Sequence, residues 1–394
     1  MSKLSIADLN KSDLENKTVL VRVDFNVPLK DGQVADDTRI RAAIPTINYL
    51  LENNAKVILV SHLGRPKGKE DKYSLKPVYE YIKNELKIPL TFLNDCIGEE
   101  VKNSIKKAKL GTLILLENVR FYPEEEKNDS GFAKKLSELA DIYVNDAFGT
   151  AHRAHASTVG VAEFLPAYSG LLMEKEINFL SKALNPEKPF VAIIGGAKIS
   201  SKIGVLKNLL DKTDSLIIGG AMTYTFLKAQ GKNVGKSLVE DDYIKTANEI
   251  IEKAQKVKCN LVLAVDHVVA DSPDSESGEI VSDIPDNKSG LDIGPKTIEK
   301  IREVLQTAKT VFWNGPMGVF EKKPFAKGTE DVALILAEIT KKGAITIIGG
   351  GDSVAAIEQL GIADKFSHIS TGGGASLEFL EGIELPGIKV LKDK

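Results

Sequence analysis

Six of the seven arginines in the chain (Arg22, Arg39, Arg41, Arg65, Arg120 and Arg153) lie within the first 153 residues, and only Arg302 follows them, although lysine is spread throughout. A guanidinium presents a planar fork of donors that meets carboxylate or phosphate oxygens in pairs, so several convergent arginines make a site for a small, highly charged anion. Most of them fall beside other polar groups in short segments: Asp24-Phe25-Asn26, His62-Leu63-Gly64-Arg65, Arg120 in ENVRFYPEE and Arg153 in HRAH, with Arg39 in DDTRIRA opening a helix. Asp24 and Asn26 either cap a turn or hydrogen-bond a substrate hydroxyl and hold an arginine in place. His152 and His155 have a metal-like spacing, but no cysteine or third histidine is adjacent, which favours an anion contact or plain packing over zinc.

Glycine leans the other way, with 9 of its 32 occurrences before position 171 and 23 after it. Gly195-Gly196-Ala197-Lys198-Ile199-Ser200-Ser201-Lys202 joins an apolar run to a helical pattern, where glycine permits close backbone approach and helix amides attract anions. Lys198 and Lys202, four apart, are expected on one face of a helical first turn, against the macrodipole, which suggests an anion between them. Gly219-Gly220, Asn314-Gly315-Pro316 with Glu321 nearby, and Gly349-Gly350-Gly351-Asp352-Ser353 are further candidates for a nucleoside pocket. Asp352 or Ser353 could equally cap the following helix. Thr371-Gly372-Gly373-Gly374-Ala375-Ser376 opens another helix and suits a phosphate. None of these clusters matches the Walker A spacing or GxGxxG.

Groups of this kind must be held at the carboxyl ends of strands, where open parallel sheets bind ligands. Short β-branched or leucine-rich runs alternate with helical periods along the whole chain, the pattern of βαβ units. Strands are expected at 18–25, 56–63, 90–95, 112–119 and 141–148, then at 190–196, 215–220, 260–266, 310–315, 344–350 and 366–371. The fold class is therefore α/β, with two doubly wound, Rossmann-like parallel-sheet domains. Residues 174–184 read as the helix between them, closed by Asn185-Pro186. The polar stretch 271–290 reads as a solvated loop without chemistry.

A chain of 394 residues exceeds the size at which one core stops growing, and 43% apolar with 27% charged residues is ordinary globular usage. The net charge of -3 offers no general attraction to nucleic acid or acidic membranes, so neither is expected as a partner. Only Cys96 and Cys259 are present, which fits a reducing compartment. MSKLSIADLN has no apolar signal core, and a cytoplasmic location is expected.

Taken in order, VRVDFNVP, SHLGRP, ENVRF, AHRAHAS, GGAKISSK, FWNGPMGVFE, GGGDS and STGGGAS resemble the phosphoglycerate kinases, from about residue 18 to residue 387. The resemblance implies reversible phosphoryl transfer in glycolysis between 1,3-bisphosphoglycerate and MgADP, giving 3-phosphoglycerate and MgATP. It implies a phosphoglycerate-binding domain at 1–170, a hinge helix at 171–187 and a nucleotide-binding domain at 188–376, with a tail, 377–394, packing back on the first domain. Substrate contacts would fall on Asp24, Phe25, Asn26, Arg39, His62, Leu63, Gly64, Arg65, Arg120 and Arg153. Nucleotide contacts would fall on Gly195, Gly196, Lys202, Gly219, Gly220, Gly294, Asn314, Pro316, Glu321, Gly350, Gly351, Asp352 and Ser353, with Glu321 on the ribose and Asp352 near the Mg2+. Arg39, Lys198 and the amides of Gly372, Gly373 and Gly374 would surround the transferred group. Direct in-line transfer on hinge closure, in a monomer, completes the expectation. A dehydrogenase is disfavoured by the missing GxGxxG, and a two-domain binding protein would close on its ligand without turnover.

Overall fold

The structure, a computed structural model, describes residues 3–394. Contacts divide the chain into two compact units, one running through Asn178 and completed by Glu384–Lys394, the other spanning Phe179–Ile383. Each contains a six-stranded parallel sheet.

In the first unit the sheet runs Thr91–Leu93, Leu113–Leu116, Lys56–Val60, Thr18–Arg22, Ile142–Asn145, Ala167–Ser169. The strand Lys56–Val60 is buried at every position, and Thr18–Arg22 at all but its first, as expected where helices cover both faces. Val19, Val21, Val57, Leu59, Leu113 and Val144 meet one layer of helices, represented by Ile40, Ile47 and Val78, in a continuous core. Five of the strands are those read from the sequence, although they stop earlier, at Arg22, Val60, Leu93, Leu116 and Asn145. The residues beyond leave the ladder as loops, which frees them to carry a site. Ala167–Ser169 escaped detection because three residues after Pro166 are too short to show a period.

The last segment of the chain belongs to this same unit. Leu4 N donates to Lys392 O at 2.8 Å, Lys3 Nζ to Leu391 O at 2.9 Å, and Asn145 Nδ2 to Gly387 O at 3.0 Å.

The second sheet runs Asn260–Val262, Ser215–Ile218, Phe190–Ile194, Thr310–Asn314, Ile345–Gly349, His368–Ile369. By chain order this is 3-2-1-4-5-6, the dinucleotide-fold order, with its switch point between Phe190–Ile194 and Thr310–Asn314. Val191, Ile193, Ile217, Val311, Trp313 and Ile348 face Ile301, Val332 and Leu336 in its core. The stretch read as a solvated loop is partly structured. Glu279–Val281 and Ser289–Ile293 flank His267–Ala270 in a small antiparallel sheet. Its pairing is long-range, Val268 opposite Ile280 and His267 opposite Ile293, so local composition could not announce it.

The helix that leads out of the first sheet begins at Leu171 and ends at Leu184. Its opening amides are satisfied from outside the helix: Asp146 Oδ1 accepts from Leu172 N at 3.0 Å and Met173 N at 3.1 Å, and Thr46 Oγ1 from Leu171 N at 2.9 Å. Asp146 is fully buried, and burial pushes its carboxyl up to about 6. Asp146→Ala leaves the Leu172 and Met173 amides unpaired and is expected to cost about 1–3 kcal/mol, read as a lower urea midpoint for the first unit. Because the folded value lies above the unfolded one, the Asp146 contribution is fully present below about pH 4 and is lost as pH rises through about 6. The wild-type minus variant difference should therefore shrink over that interval.

Candidate functional site

The first unit gathers its polar groups at the carboxyl ends of the central strands. Asp24 follows Thr18–Arg22, and its Oδ1 accepts from Asn26 N at 3.2 Å while its Oδ2 pairs with Arg39 Nη1 at 3.2 Å. Arg39 is the second residue of the helix Thr38–Glu52, and the same Nη1 donates to Asn26 O at 3.0 Å. Asn26 Oδ1 in turn accepts from Gly64 N at 2.8 Å, which ties the loop after the first strand to SHLGRP. Arg120 Nη1 donates to Gly64 O at 2.8 Å from a short helical turn after Leu113–Leu116, and Arg120 Nε lies 3.2 Å from Glu126 Oε1. Asn26, Arg39, Gly64 and Arg120 thus form one connected set.

Two of the expected contacts differ in kind from the rest. Phe25 and Leu63 bury their side chains in the core, so they can offer a ligand only backbone. Arg65 is exposed and makes no hydrogen bond or ion pair among the described residues, whereas Arg153 Nε is 3.1 Å from His152 Nε2. His155 is buried beside Glu125, and burial together with Arg120, Arg22 and Arg153 lowers it to about 4.

Beneath this surface lies a layer that the sequence reading did not single out. Asn118 Nδ2 donates to Leu63 O at 2.8 Å and Tyr73 O at 2.9 Å, and its Oδ1 accepts from Arg120 N at 3.0 Å. Ser61 Oγ accepts from Phe25 N at 2.9 Å, and the carboxylate of buried Glu117 accepts from Leu75 N at 2.8 Å and Asn118 N at 2.7 Å. Glu125 is buried there with no exposed surface, as is Arg22, which the sequence grouped with the other arginines. The signal in the sequence was a charge or amide adjoining a strand of otherwise apolar residues.

In the second unit the loops are laced together by backbone. Gly195 N donates to Asn314 O at 2.8 Å, Gly219 N to Ile194 O at 2.9 Å, Gly220 N to Met317 O at 3.0 Å and Met222 N to Gly196 O at 3.1 Å. A methyl on Gly195 would lie 2.2 Å from Pro316 O, so this crossing is closed to any other residue. Gly315 N donates to Ser353 Oγ at 2.6 Å, which adds the Gly350-Gly351-Asp352-Ser353 turn to the same edge. Gly350, at φ 89, caps the helix Gly351–Gln359. Gly294 stands apart, opening the helix Pro295–Leu305 against the Asp266 carboxylate. Glu321 and Asp352 are exposed.

The lysine pair departs from its expected geometry. Ile199–Ser201 forms a 3-10 turn, so Lys198 precedes that turn and Lys202 caps the helix Ile203–Leu210. Neither lies inside a helical first turn. Ser201 Oγ reaches back to Lys198 O at 2.9 Å and stabilises the tighter winding. Lys202 Nζ donates to Asn314 Oδ1 at 2.5 Å; burial lowers its pKa, opposed by Asp352 and Glu381. Lys198 is exposed. Asn208 Nδ2 donates to Leu380 O, joining this helix to Gly374–Leu380. At the start of that last helix Gly372 N is already engaged by Ser370 Oγ at 3.1 Å, which removes it from the expected set of ligand-facing amides.

Among the described residues no group of three or more His, Cys, Asp or Glu side chains could hold a metal ion. One carboxylate, Asp352, at the edge of a phosphate-binding type of turn suits a cation that keeps water and is carried mainly by nucleotide phosphates, the usual situation for magnesium. No helix among the described residues is long and apolar enough to cross a membrane.

Two doubly wound units, one presenting arginines and the other a glycine-laced strand edge with two lysines, define an α/β protein suited to phosphorylated ligands. Comparison gives the family. The model of the phosphoglycerate kinase family matches residues 8–383. Phosphoglycerate kinase of Dictyoglomus turgidum is 57% identical across 100% of both chains, and the cytosolic enzyme of Triticum aestivum is 58% identical across 100% of this chain and 99% of its own. The solved phosphoglycerate kinase of Coxiella burnetii is 44% identical and superposes with a TM-score of 0.89 over 98% of each chain. This chain belongs to the phosphoglycerate kinase family, glycolytic kinases whose acceptor is a carboxyl group.

Gly195→Ala must force the 195–196 and 314–317 loops apart. Titration calorimetry is expected to show loss of ADP binding with the affinity for 3-phosphoglycerate retained.

Proposed function

We propose that the first unit binds 3-phosphoglycerate through Asp24, Asn26, Arg39, His62, Arg65, Arg120 and Arg153, with backbone from Phe25, Leu63 and Gly64. The second unit binds MgADP or MgATP along the Gly195–Gly196, Gly219–Gly220, Asn314–Pro316 and Gly350–Ser353 loops, with Lys202, Gly294 and Glu321. The observation that carries this reading is the lacing of those glycine loops by backbone hydrogen bonds at the switch point of the sheet, the place where folds of this strand order take their nucleotides. Arg39 is a suitable phosphate clamp because Asp24 and Asn26 hold its guanidinium in one orientation.

The acceptor carboxylate is ionised at neutral pH and needs no general base, so the chemistry reduces to direct in-line transfer. Magnesium, when bound with the nucleotide near Asp352, neutralises charge on the phosphates. Arg39, Lys198 and the amides of Gly373 and Gly374 would supply the remaining positive potential around the transferred group. Alignment is worth roughly 7–11 kcal/mol, against roughly 3–4 kcal/mol for one electrostatic donor. Closure that brings the two ligands together, with hinges in 171–187 and near 371–376, therefore matters more than any single lysine. A monomer in the cytosol is the setting we favour; the location, though not the oligomeric state, has support in the cytosolic relative from Triticum aestivum.

The direct test is to mix the protein with MgATP and 3-phosphoglycerate, trap the acyl phosphate with hydroxylamine and follow ADP. Absence of ADP with both substrates present would overturn the reading. Lys198→Ala is expected to lower kcat by orders of magnitude with KM values nearly unchanged, because an exposed lysine that pairs with no carboxylate among the described residues acts chiefly on transition-state charge. Arg39→Lys should raise KM for 3-phosphoglycerate by about tenfold and leave that for ATP alone, since an ammonium cannot reproduce a bidentate contact.

A further inference from the structure

Arg22 ends the central strand Thr18–Arg22 and has no exposed surface. A guanidinium so placed must use its donors, because each unpaired N–H away from water is costly. Its Nε donates to Ser157 Oγ at 2.8 Å and its Nη1 to Val23 O, and its Nη2 lies 3.1 Å from His62 Nδ1. The last contact fixes more than a distance. A guanidinium has donors and no acceptor, so a proton on His62 Nδ1 would face another N–H. Nδ1 must therefore be the acceptor, and the ring proton must sit on Nε2.

The surroundings agree. Asp24 Oδ1 is 3.9 Å from His62 Nδ1, too far to take a proton from it in a hydrogen bond. His62 is itself buried, and burial, then Arg22, Arg120, Arg39 and His155 hold its pKa well below the ordinary histidine value. Arg22 is held in turn. Ser157 Oγ accepts from Arg22 and donates to Glu125 Oε1 at 2.5 Å, while Ser157 N donates to Glu125 Oε2 at 2.8 Å. The buried Glu125 carboxylate thus compensates the buried guanidinium through one hydroxyl.

We propose that Arg22 is a positioning residue that sets the tautomer of His62, so that a neutral imidazole with its proton on Nε2 meets phosphoglycerate as a directional donor. Its bearing on recognition rests on the reading of His62 as a phosphoglycerate contact; the tautomer itself does not. A neutral donor keeps this contact constant across physiological pH, which an imidazolium with an ordinary pKa near 6.5 would not do.

The test is a long-range proton–nitrogen correlation spectrum of the full-length, 15N-labelled protein without ligand, with His62 assigned by comparison with His62→Gln. The expected result is an unprotonated Nδ1 and a protonated Nε2, unchanged from pH 8 to about pH 5.5. A proton on Nδ1, or an imidazolium forming near pH 6.5, would overturn the proposal whether or not any variant folds. Ser157→Ala, which removes the anchor of Arg22, is expected to mix the two tautomers and raise KM for 3-phosphoglycerate several-fold, with kcat and KM for ATP unchanged. Arg22→Lys should restore the tautomer partly, because one N–H donor remains, and Arg22→Met should not. An unchanged tautomer in both Arg22 variants would sink the assignment. If the wild-type tautomer is as expected but addition of 3-phosphoglycerate leaves the His62 signals unmoved, Arg22's role stands and the placing of His62 against substrate fails.

Discussion

A parallel sheet that binds anions must leave the carboxyl ends of its central strands uncovered, yet the polar backbone there still has to be satisfied. The two units meet this requirement by opposite means. In the first, side chains from neighbouring loops take up the backbone groups: Asn118 bonds Leu63 O and Tyr73 O, and Asn26 takes Gly64 N. In the second, loop backbone satisfies loop backbone, and glycine is the residue that lets the strands of chain approach closely enough. Arg39 and Arg120 hang from the first of these frames and Lys202 from the second.

On the proposed assignment of ligands, the difference follows from the chemistry each frame would serve. A small, multiply charged acid is best held by forked cations, and cations need anchors, so Arg39 leans on Asp24 and Arg22 on Ser157 and Glu125. A nucleotide presents a long surface of phosphate, sugar and base, for which exposed amides and a shallow edge are sufficient. Lys202 shows the two styles meeting, its amine held by the Asn314 amide at the centre of the glycine lattice.

Most of the framework was legible because strands buried on both faces read as continuous apolar runs, and the arginines and glycines fell just after them. What was hidden depended on distant pairing. Ala167–Ser169 is too short for a period, and Glu279–Val281 became a strand only by pairing with His267–Ala270. The lysine pair does not lie in a helical turn because the 3-10 turn at Ile199–Ser201 is held partly from a distance: Glu240 accepts from Ser200 N and Ser200 Oγ, while Ser201 Oγ donates to Lys198 O. Arg22 could be counted but not understood, since its partners Ser157 and Glu125 lie more than a hundred residues away.

The pairing of Leu4 with Lys392, and of Asn145 with Gly387, gives the order of synthesis a physical meaning. A ribosome delivers the whole of Phe179–Ile383 before it supplies the segment that finishes the first unit. At about 5–20 residues per second that interval is on the order of ten to forty seconds. The unit that begins first is completed last, and during translation its unfinished edge is a surface for chaperones to guard.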